Sequence, residues 1–407
     1  FIDWWQGGEN AEKFVLASAL LKLTFPYLFF VSLVALSGAV MNVYNRFAVA
    51  AFTPVLLNVS IITCAVFLHD KFSVGAYALA IGVFVGGLVQ LLFQLPFLYR
   101  ARMLSRPKWG WQDENVKKVR KLMLPALFGV SISQINLLLD TMIASMLMTG
   151  SIAWLYYSDR LIEFPLGLFG IGIATVILPA LSKLHSTKST KDFQLTLDWG
   201  VRFVIFLGLP AMFGLMVISP LIITVLFDHG AFQNGEIDHV KAVSYGVMAY
   251  SVGLVSFMLI KVLDTGFYSR QDTKTPVKIG IKTLVLNMVF NIMLAPFIGY
   301  LGLALATAMS ASCNAYLLYH QLRKDGVYQF SAMSLSFTFK CLFSSLLMAA
   351  SVWYVGQQFA WKAWHFTEQV LLLSGLLVLA VFVYFAALFI LGVRLNTIKS
   401  VATTESN

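Results

Sequence analysis

Charge is what this chain has least of. Asp, Glu, Lys and Arg make up 12% of its 407 residues, against about 25% in a soluble globular domain. That shortage excludes a water-soluble fold with an ordinary polar surface. Cysteine is sparse too: Cys64, Cys313 and Cys341 lie inside apolar runs, at no metal or disulfide spacing, and read as small buried hydrophobes. The six histidines are scattered, mostly at the ends of apolar runs, which excludes a metal cluster built on them. No phosphate-binding glycine loop, nucleophile elbow or metal-spaced His/Cys set is present, so an enzyme is not expected. The stretch from Phe1 to Lys13 is polar and charged, so no signal peptide is expected.

Hydrophobic residues are abundant, at 59% of the chain with a mean hydropathy of +0.79. They fall into eleven apolar runs, at 23–43, 50–68, 73–99, 119–148, 151–183, 199–227, 240–265, 276–296, 300–322, 332–356 and 367–392. Each is near the roughly 20 residues that cross a bilayer as a helix. Lipid tolerates only helices or closed barrels, and these runs are continuous and helix-length. The expected fold is an all-α integral membrane protein with eleven transmembrane helices.

The basic residues set the orientation. Alternate connections and span ends carry twenty-two of the 29 Lys and Arg, among them Arg100, Arg102, Lys117, Lys118, Lys274, Lys278, Arg323 and Arg394. The opposite set holds five, and Arg160 and Lys261 lie inside spans. The basic side is cytoplasmic, which places Phe1 outside and the C-terminus inside. The net charge of +10 is therefore positive-inside bias and attraction to anionic lipid, not a nucleic-acid groove. The stretch from Tyr99 to Lys121, basic and with two tryptophans, reads either as an interfacial segment on the inner leaflet or as an ordinary positive-inside loop.

Spans one to three recur as spans seven to nine. Tyr44-Asn45-Arg46 matches Tyr268-Ser269-Arg270, Thr53-Pro54-Val55 matches Thr275-Pro276-Val277, and Ala78-Leu79-Ala80 matches Ala304-Leu305-Ala306. A six-helix unit repeated in the same direction is one arrangement transporters use. It leaves spans four to six without partners upstream, so three further helices are expected before Phe1 and fourteen in the intact protein. The expected divisions are 1–99 for the rest of an N-lobe, 100–118 for a basic interfacial loop, 119–323 for a six-helix C-lobe, and 324–407 for two C-terminal helices and a tail.

An ionisable residue inside a span costs about 2.5–3.5 kcal/mol on insertion scales and marks function by default. Span five holds Asp159, Arg160 and Glu163, whose spacings put them on roughly one helix face. That face lines either a cavity where Arg160 grips an anion, its planar fork suiting phosphate, or a self-neutralising structural cluster. Span four carries Ser133, Asn136 and Asp140, span eight Asn287 and Asn291, and span nine Thr307. One carboxylate with amide and hydroxyl oxygens suits a hard cation such as Na⁺; plain interhelical hydrogen bonding accounts for the same residues. Lys261 and Asp264 in span seven either pair with each other or line the cavity.

Three segments carry a resemblance: WLYYSDRLIEFPLGLFGIGIATVILPALSK at 154–183, LFDHGAF at 226–232 and GFYSRQDTKTPVK at 266–278, supported by MNVYNRFAVAAFTPVLLN at 41–58. Over essentially its whole length the chain resembles the MurJ (MviN) family of Gram-negative bacteria. That family lies within the multidrug/oligosaccharidyl-lipid/polysaccharide exporter superfamily. The resemblance implies fourteen helices in two lobes plus a C-terminal pair, alternating access around a cationic cavity, and a place in the bacterial inner membrane. It implies lipid II as substrate, an undecaprenyl-diphosphate carrying a disaccharide-peptide, flipped from inner to outer leaflet. Arg160 matches the family's cavity arginine on that helix and Asp159 and Glu163 its acidic neighbours; Lys261 joins them as an expected substrate contact. Spans ten and eleven would form a groove for the polyprenyl tail. Asp140, Asn287, Asn291 and Thr307 resemble a cation site seen in part of the family, with Na⁺ as the expected ion and no other cofactor. A monomer in contact with membrane lipids is expected, with wall-synthesis proteins as partners and no nucleic acid.

Competing readings remain at this point. A drug/cation antiporter or O-antigen-unit flippase of the same superfamily normally has twelve helices, so spans ten and eleven argue against it. A membrane-embedded polyprenyl-linked glycosyltransferase would need catalytic acids or histidines in a sizeable outer loop. A non-transporting scaffold would leave the span-five charges without a role.

Overall fold

In the computed structural model, helix dominates the described residues, which are all except 1–8, 44–45, 101, 104–109, 229–231, 233–237, 360, 362–363 and 394–407. The side chains of 9–13, 42–43, 47, 115, 121–122, 124–133 and 332 are also outside the description. Among the described residues nine helices are long and apolar enough to cross a membrane, and ten when one bent pair counts as a single span. The helices are apolar on nearly every side, as expected where one face meets lipid and the other meets protein. Phe297 and Ile390, for example, both point outward. The run expected at 119–148 is helical over Glu114–Ser145.

The chain forms two compact units, residues 1–116 and 117–407. In the first, α1 (Glu9–Thr24), α2 (Tyr27–Val43) and α3 (Phe47–Leu68) all pack on α4 (Ala76–Arg100). The break between α1 and α2 falls at Phe25-Pro26, where proline cannot continue the ladder, so the run expected to start at 23 is preceded by helix. The α3/α4 contact is close because it is built on glycine. A Cβ on Gly82 would come within 2.7 Å of the Ile61 Cα, and one on Gly86 within 3.2 Å of the Leu57 Cα. A Gly-x-x-x-Gly step of this kind lets two backbones approach in lipid. Thr53 lies inside this contact. Its backbone oxygen accepts from Gln90 Nε2 at 3.1 Å and its hydroxyl from Gln94 Nε2 at 2.9 Å.

The second unit is arranged around α8 (Thr190–Phe227), 38 residues long with Pro210 and Pro220 inside it. Against α8 pack α7 (Gly172–Ser186), α9 (His239–Ser251), α10 (Leu254–Tyr268), α13 (Ala332–Gln357) and α14 (Phe366–Ile390). Two more helices, α11 (Lys274–Ile298) and α12 (Tyr300–Lys324), pair with each other, and α12 leans on α9 and α10. Helices α5 (Glu114–Ser145) and α6 (Ser151–Pro165) complete the unit. Three expected spans are interrupted or extended. Span five is α6, a π-helical turn at Leu166–Ile171 and then α7; Pro165 removes a ladder bond at the junction. Span seven bends by 42° between α9 and α10. Gly253 at that bend lies against α12, where a Cβ would meet the Ala308 Cα at 2.7 Å. Span six begins a full two turns earlier than its apolar run, at Thr190.

The C-terminal pair is fastened to α8 by a buried polar clamp. Asp198 accepts hydrogen bonds from Ser334 Oγ at 2.8 Å and from the Tyr328 hydroxyl at 2.9 Å, and Arg202 Nε lies 3.1 Å from it. Burial, then the adjacent Asp198 charge, raise the Tyr328 phenol above its ordinary range. Tyr384 on α14 donates to the Phe206 carbonyl at 2.7 Å. At the start of α11, Asp272 accepts from the Thr275 N–H at 3.1 Å. Burial works against its charge, but the Thr275 and Lys274 donors and Arg270 hold its carboxyl below the usual value.

Candidate functional site

Helix α6 has one face built for packing and one built from charge. Trp154, Ser158, Ile162 and Pro165 are buried and fall within about a quarter of the helix circumference at 3.6 residues per turn. The Trp154 indole donates to His239 Nδ1 at 3.0 Å, and Ser158 Oγ donates to the Val243 carbonyl at 3.0 Å, so α9 holds this face. Gly150 precedes the helix at φ 101°, an orientation suited to glycine, and a Cβ there would meet the Trp154 ring at 2.7 Å.

The opposite face carries Tyr156, Arg160 and Glu163. Arg160 Nη1 lies 2.7 Å from Glu163 Oε2, with 54% and 50% of the two side chains exposed. The Arg160 guanidinium also lies over the Tyr156 ring, 4.9 Å from its centroid. Asp159 is half-buried at the edge of this face. Arg160 stands nine residues beyond Ser151, about 14 Å along the axis. The guanidinium thus meets Glu163 and Tyr156 on its own helix and remains half exposed.

A second constellation assembles around Asp140 on α5. Asn291 Nδ2 donates to Asp140 Oδ1 at 2.6 Å and to Asn287 Oδ1 at 3.0 Å. Asn136 Nδ2 donates to Asp140 Oδ2 at 3.2 Å, and Asn287 Nδ2 to Thr307 Oγ1 at 3.4 Å. Three helices, α5, α11 and α12, thus meet in one relay. The oxygens Asn136 Oδ1 and Asn291 Oδ1 are buried and have no hydrogen-bond partner. Ser133, expected beside Asn136, lies outside the described side chains.

On α10, Lys261 is exposed and makes no ion pair within 4 Å among the described residues, while Asp264 is half-buried and lines a cavity of about 420 Å³. Of the other expectations, Tyr44-Asn45, Arg106, Lys108, His229, Lys362 and Arg394 lie outside the described residues. The Asp198 clamp was not anticipated. An Asp and an Arg four apart at the start of a span are its signal in the sequence, but the apolar run at 199–227 begins after Asp198.

Comparison with known proteins bears on all of this. The family model described as lipid II flippase MurJ matches residues 1–375. The probable lipid II flippase MurJ of Vibrio cholerae is 54% identical across 100% of this chain and 76% of its own length. That of Haemophilus influenzae is 55% identical across 97% of the chain and 78% of its own length. The lipid II flippase MurJ of Burkholderia cenocepacia is 37% identical, covering 95% of the chain and 75% of its own length. Among solved structures, a lipid II flippase MurJ in an inward closed conformation superposes with a TM-score of 0.74 at 26% identity, over 92% of this chain and 74% of that one.

Proposed function

The chain belongs to the lipid II flippase MurJ family, and on that premise we propose that it carries lipid II across the bacterial inner membrane with Arg160 holding the diphosphate. A flippase makes and breaks no covalent bond, so the glycosyltransferase alternative is set aside. The observation that carries the reading is a half-exposed guanidinium deep in a span. Glu163 and Tyr156 orient it without closing it. A planar donor fork fits a diphosphate better than an ammonium does, and such a charge inside a span has to be compensated by use. Lys261, also exposed, is a second cation for the same head group.

Direction follows from the membrane potential. With the basic connections inside, the anionic head is driven outward by about 2.3 kcal/mol per charge per 100 mV. The polyprenyl tail is assigned to α14, whose outward face has an apolar hollow of about 580 Å³ between Leu377, Val381 and Phe385.

The residues around Asp140 fit a monovalent cation. Asp140 supplies one charge, Thr307 a hydroxyl, and the spare Asn291 and Asn136 oxygens are the unpartnered acceptors such an ion would use. Bound there, Na⁺ would neutralise the carboxylate and tie α5 to α11 and α12.

The test is complementation of a flippase-depleted strain at matched membrane abundance, with lipid II on the outer leaflet measured alongside. Arg160→Ala should fail and Arg160→Lys should work poorly. Full activity of Arg160→Ala would make this arginine structural.

A further inference from the structure

The cavity beside Asp264 is joined to the Asp140 relay. Its wall includes Asn136, Asp264, Thr283, Asn287, Thr307 and Ser310. Three of these, Asn136, Asn287 and Thr307, are themselves members of the hydrogen-bonded relay. The cavity also reaches Pro276 at the start of α11. From Pro276 to Asn287 is eleven residues of helix, about 16 Å of depth. A hollow lined by both polar and apolar side chains therefore leads from the end of the span that carries Arg270, Lys274 and Lys278 to the relay in its middle.

Asp264 is unlike the other carboxylates set in spans. Glu163 and Asp198 are ion-paired, Asp159 lies beside Arg160, and Asp140 takes two amide donors. Among the described residues Asp264 has no hydrogen bond and no ion pair within 4 Å, although Lys261 is one turn away. A carboxylate so placed is costly unless a cation or a proton meets it.

We propose that this cavity is the path by which a small monovalent cation reaches Asp140 from the Pro276 end, and that Asp264 is a second carboxylate that holds the ion on its way. The proposal rests on reading Asp140 as a cation site. It adds a route and a residue that lie on α10, outside that cluster. By the positive-inside rule the Pro276 end is the inner one, so the path would serve exchange with the cytoplasm.

The experiment uses the full chain in proteoliposomes, with Cys64, Cys313 and Cys341 replaced and single cysteines introduced. A hydrophilic, membrane-impermeant thiol reagent should modify Ser310→Cys and Asn314→Cys, both on the cavity wall. It should not modify Ile292→Cys, which is 71% exposed on the outer side of α11 and would face lipid. Na⁺, compared with choline at equal ionic strength, should slow modification of Ser310→Cys at least threefold. Asp264→Asn should raise the Na⁺ needed for that protection tenfold or more, and Asp264→Glu should restore it. In parallel, Na⁺ should raise the Tm of the wild type and of Asp264→Asn at saturation, but not that of Asp140→Asn. Unreactive cavity cysteines overturn the path. Protection unchanged in Asp264→Asn overturns the role of Asp264 while Asp140 stands. If Asp264→Asn does not fold, unaltered Na⁺ protection in Asp264→Ser or Asp264→Ala overturns it likewise. No Na⁺ effect on the wild-type Tm removes the Asp140 reading, and this proposal with it.

Discussion

On α6 the charges are half exposed and meet one another along a single helix; around Asp140 one carboxylate is enclosed, with amide partners from its own helix and from α11 and a relay onward to α12. The difference sorts two kinds of polar chemistry in a membrane. A group that must meet a large anion keeps donors free and leaves its backing to local neighbours. A group that would hold a small ion is closed in by amides that fix the spacing of helices. Substitutions in the first region should therefore cost transport and leave stability alone, and those in the second should do the reverse or couple the two.

The largest effect is expected at Arg160. Arg160→Ala should lower lipid II exposure on the outer leaflet about 10- to 100-fold, the loss of a charge-assisted contact of about 1.5–3 kcal/mol. Equal loss with Glu163→Gln alone would show that the pair, not the free fork, does the binding. Next comes Asn291→Ala, which strands Asp140 Oδ1 and Asn287 Oδ1 in a buried place. It should destabilise by about 1–3 kcal/mol, read as a lower midpoint in thermal or denaturant unfolding in detergent. Tyr328→Phe takes one of several donors from Asp198 and should cost about 0.5–1.5 kcal/mol by the same assay, with transport intact. The smallest change is the stability of Arg160→Ala: a half-exposed ion pair contributes at most about 1 kcal/mol. A stability loss there larger than that of Asn291→Ala would reverse the comparison.

Much of this was legible in the sequence. Apolar run length and the polar residues between runs place the helices, because lipid leaves no other way to satisfy a backbone. Asp140, Asn287, Asn291 and Thr307 could be grouped because polar residues in a span seek one another, and the structure joins them in one relay. Whether an ion sits there is a separate matter of proposal. Breaks were harder to foresee. The π-helical turn after Pro165 and the bend at Gly253 interrupt runs that stay apolar throughout, so hydropathy carries no mark of them. The repeat shows the same limit. Thr-Pro-Val occurs twice, yet in α3 it lies inside the helix with Thr53 bonded to Gln90 and Gln94, whereas in α11 it forms the first turn, capped by Asp272. Side-chain partners from distant segments, not local pattern, decide what each copy does.

The Asp198 clamp has a consequence for how the molecule is made. Asp198 belongs to a helix delivered to the membrane well before Ser334, which follows it by 136 residues. At about 5–20 residues per second of synthesis, roughly 7–27 s pass before that hydroxyl emerges. During the interval Arg202, one turn along the same helix, is already at hand to balance the acid. The early helix can thus be inserted with its charge covered, and docking of the last two helices is recorded by a gain of partners at a single carboxylate. A nascent chain stalled before Tyr328 would leave that acid with its arginine alone, a ready mark of unfinished assembly.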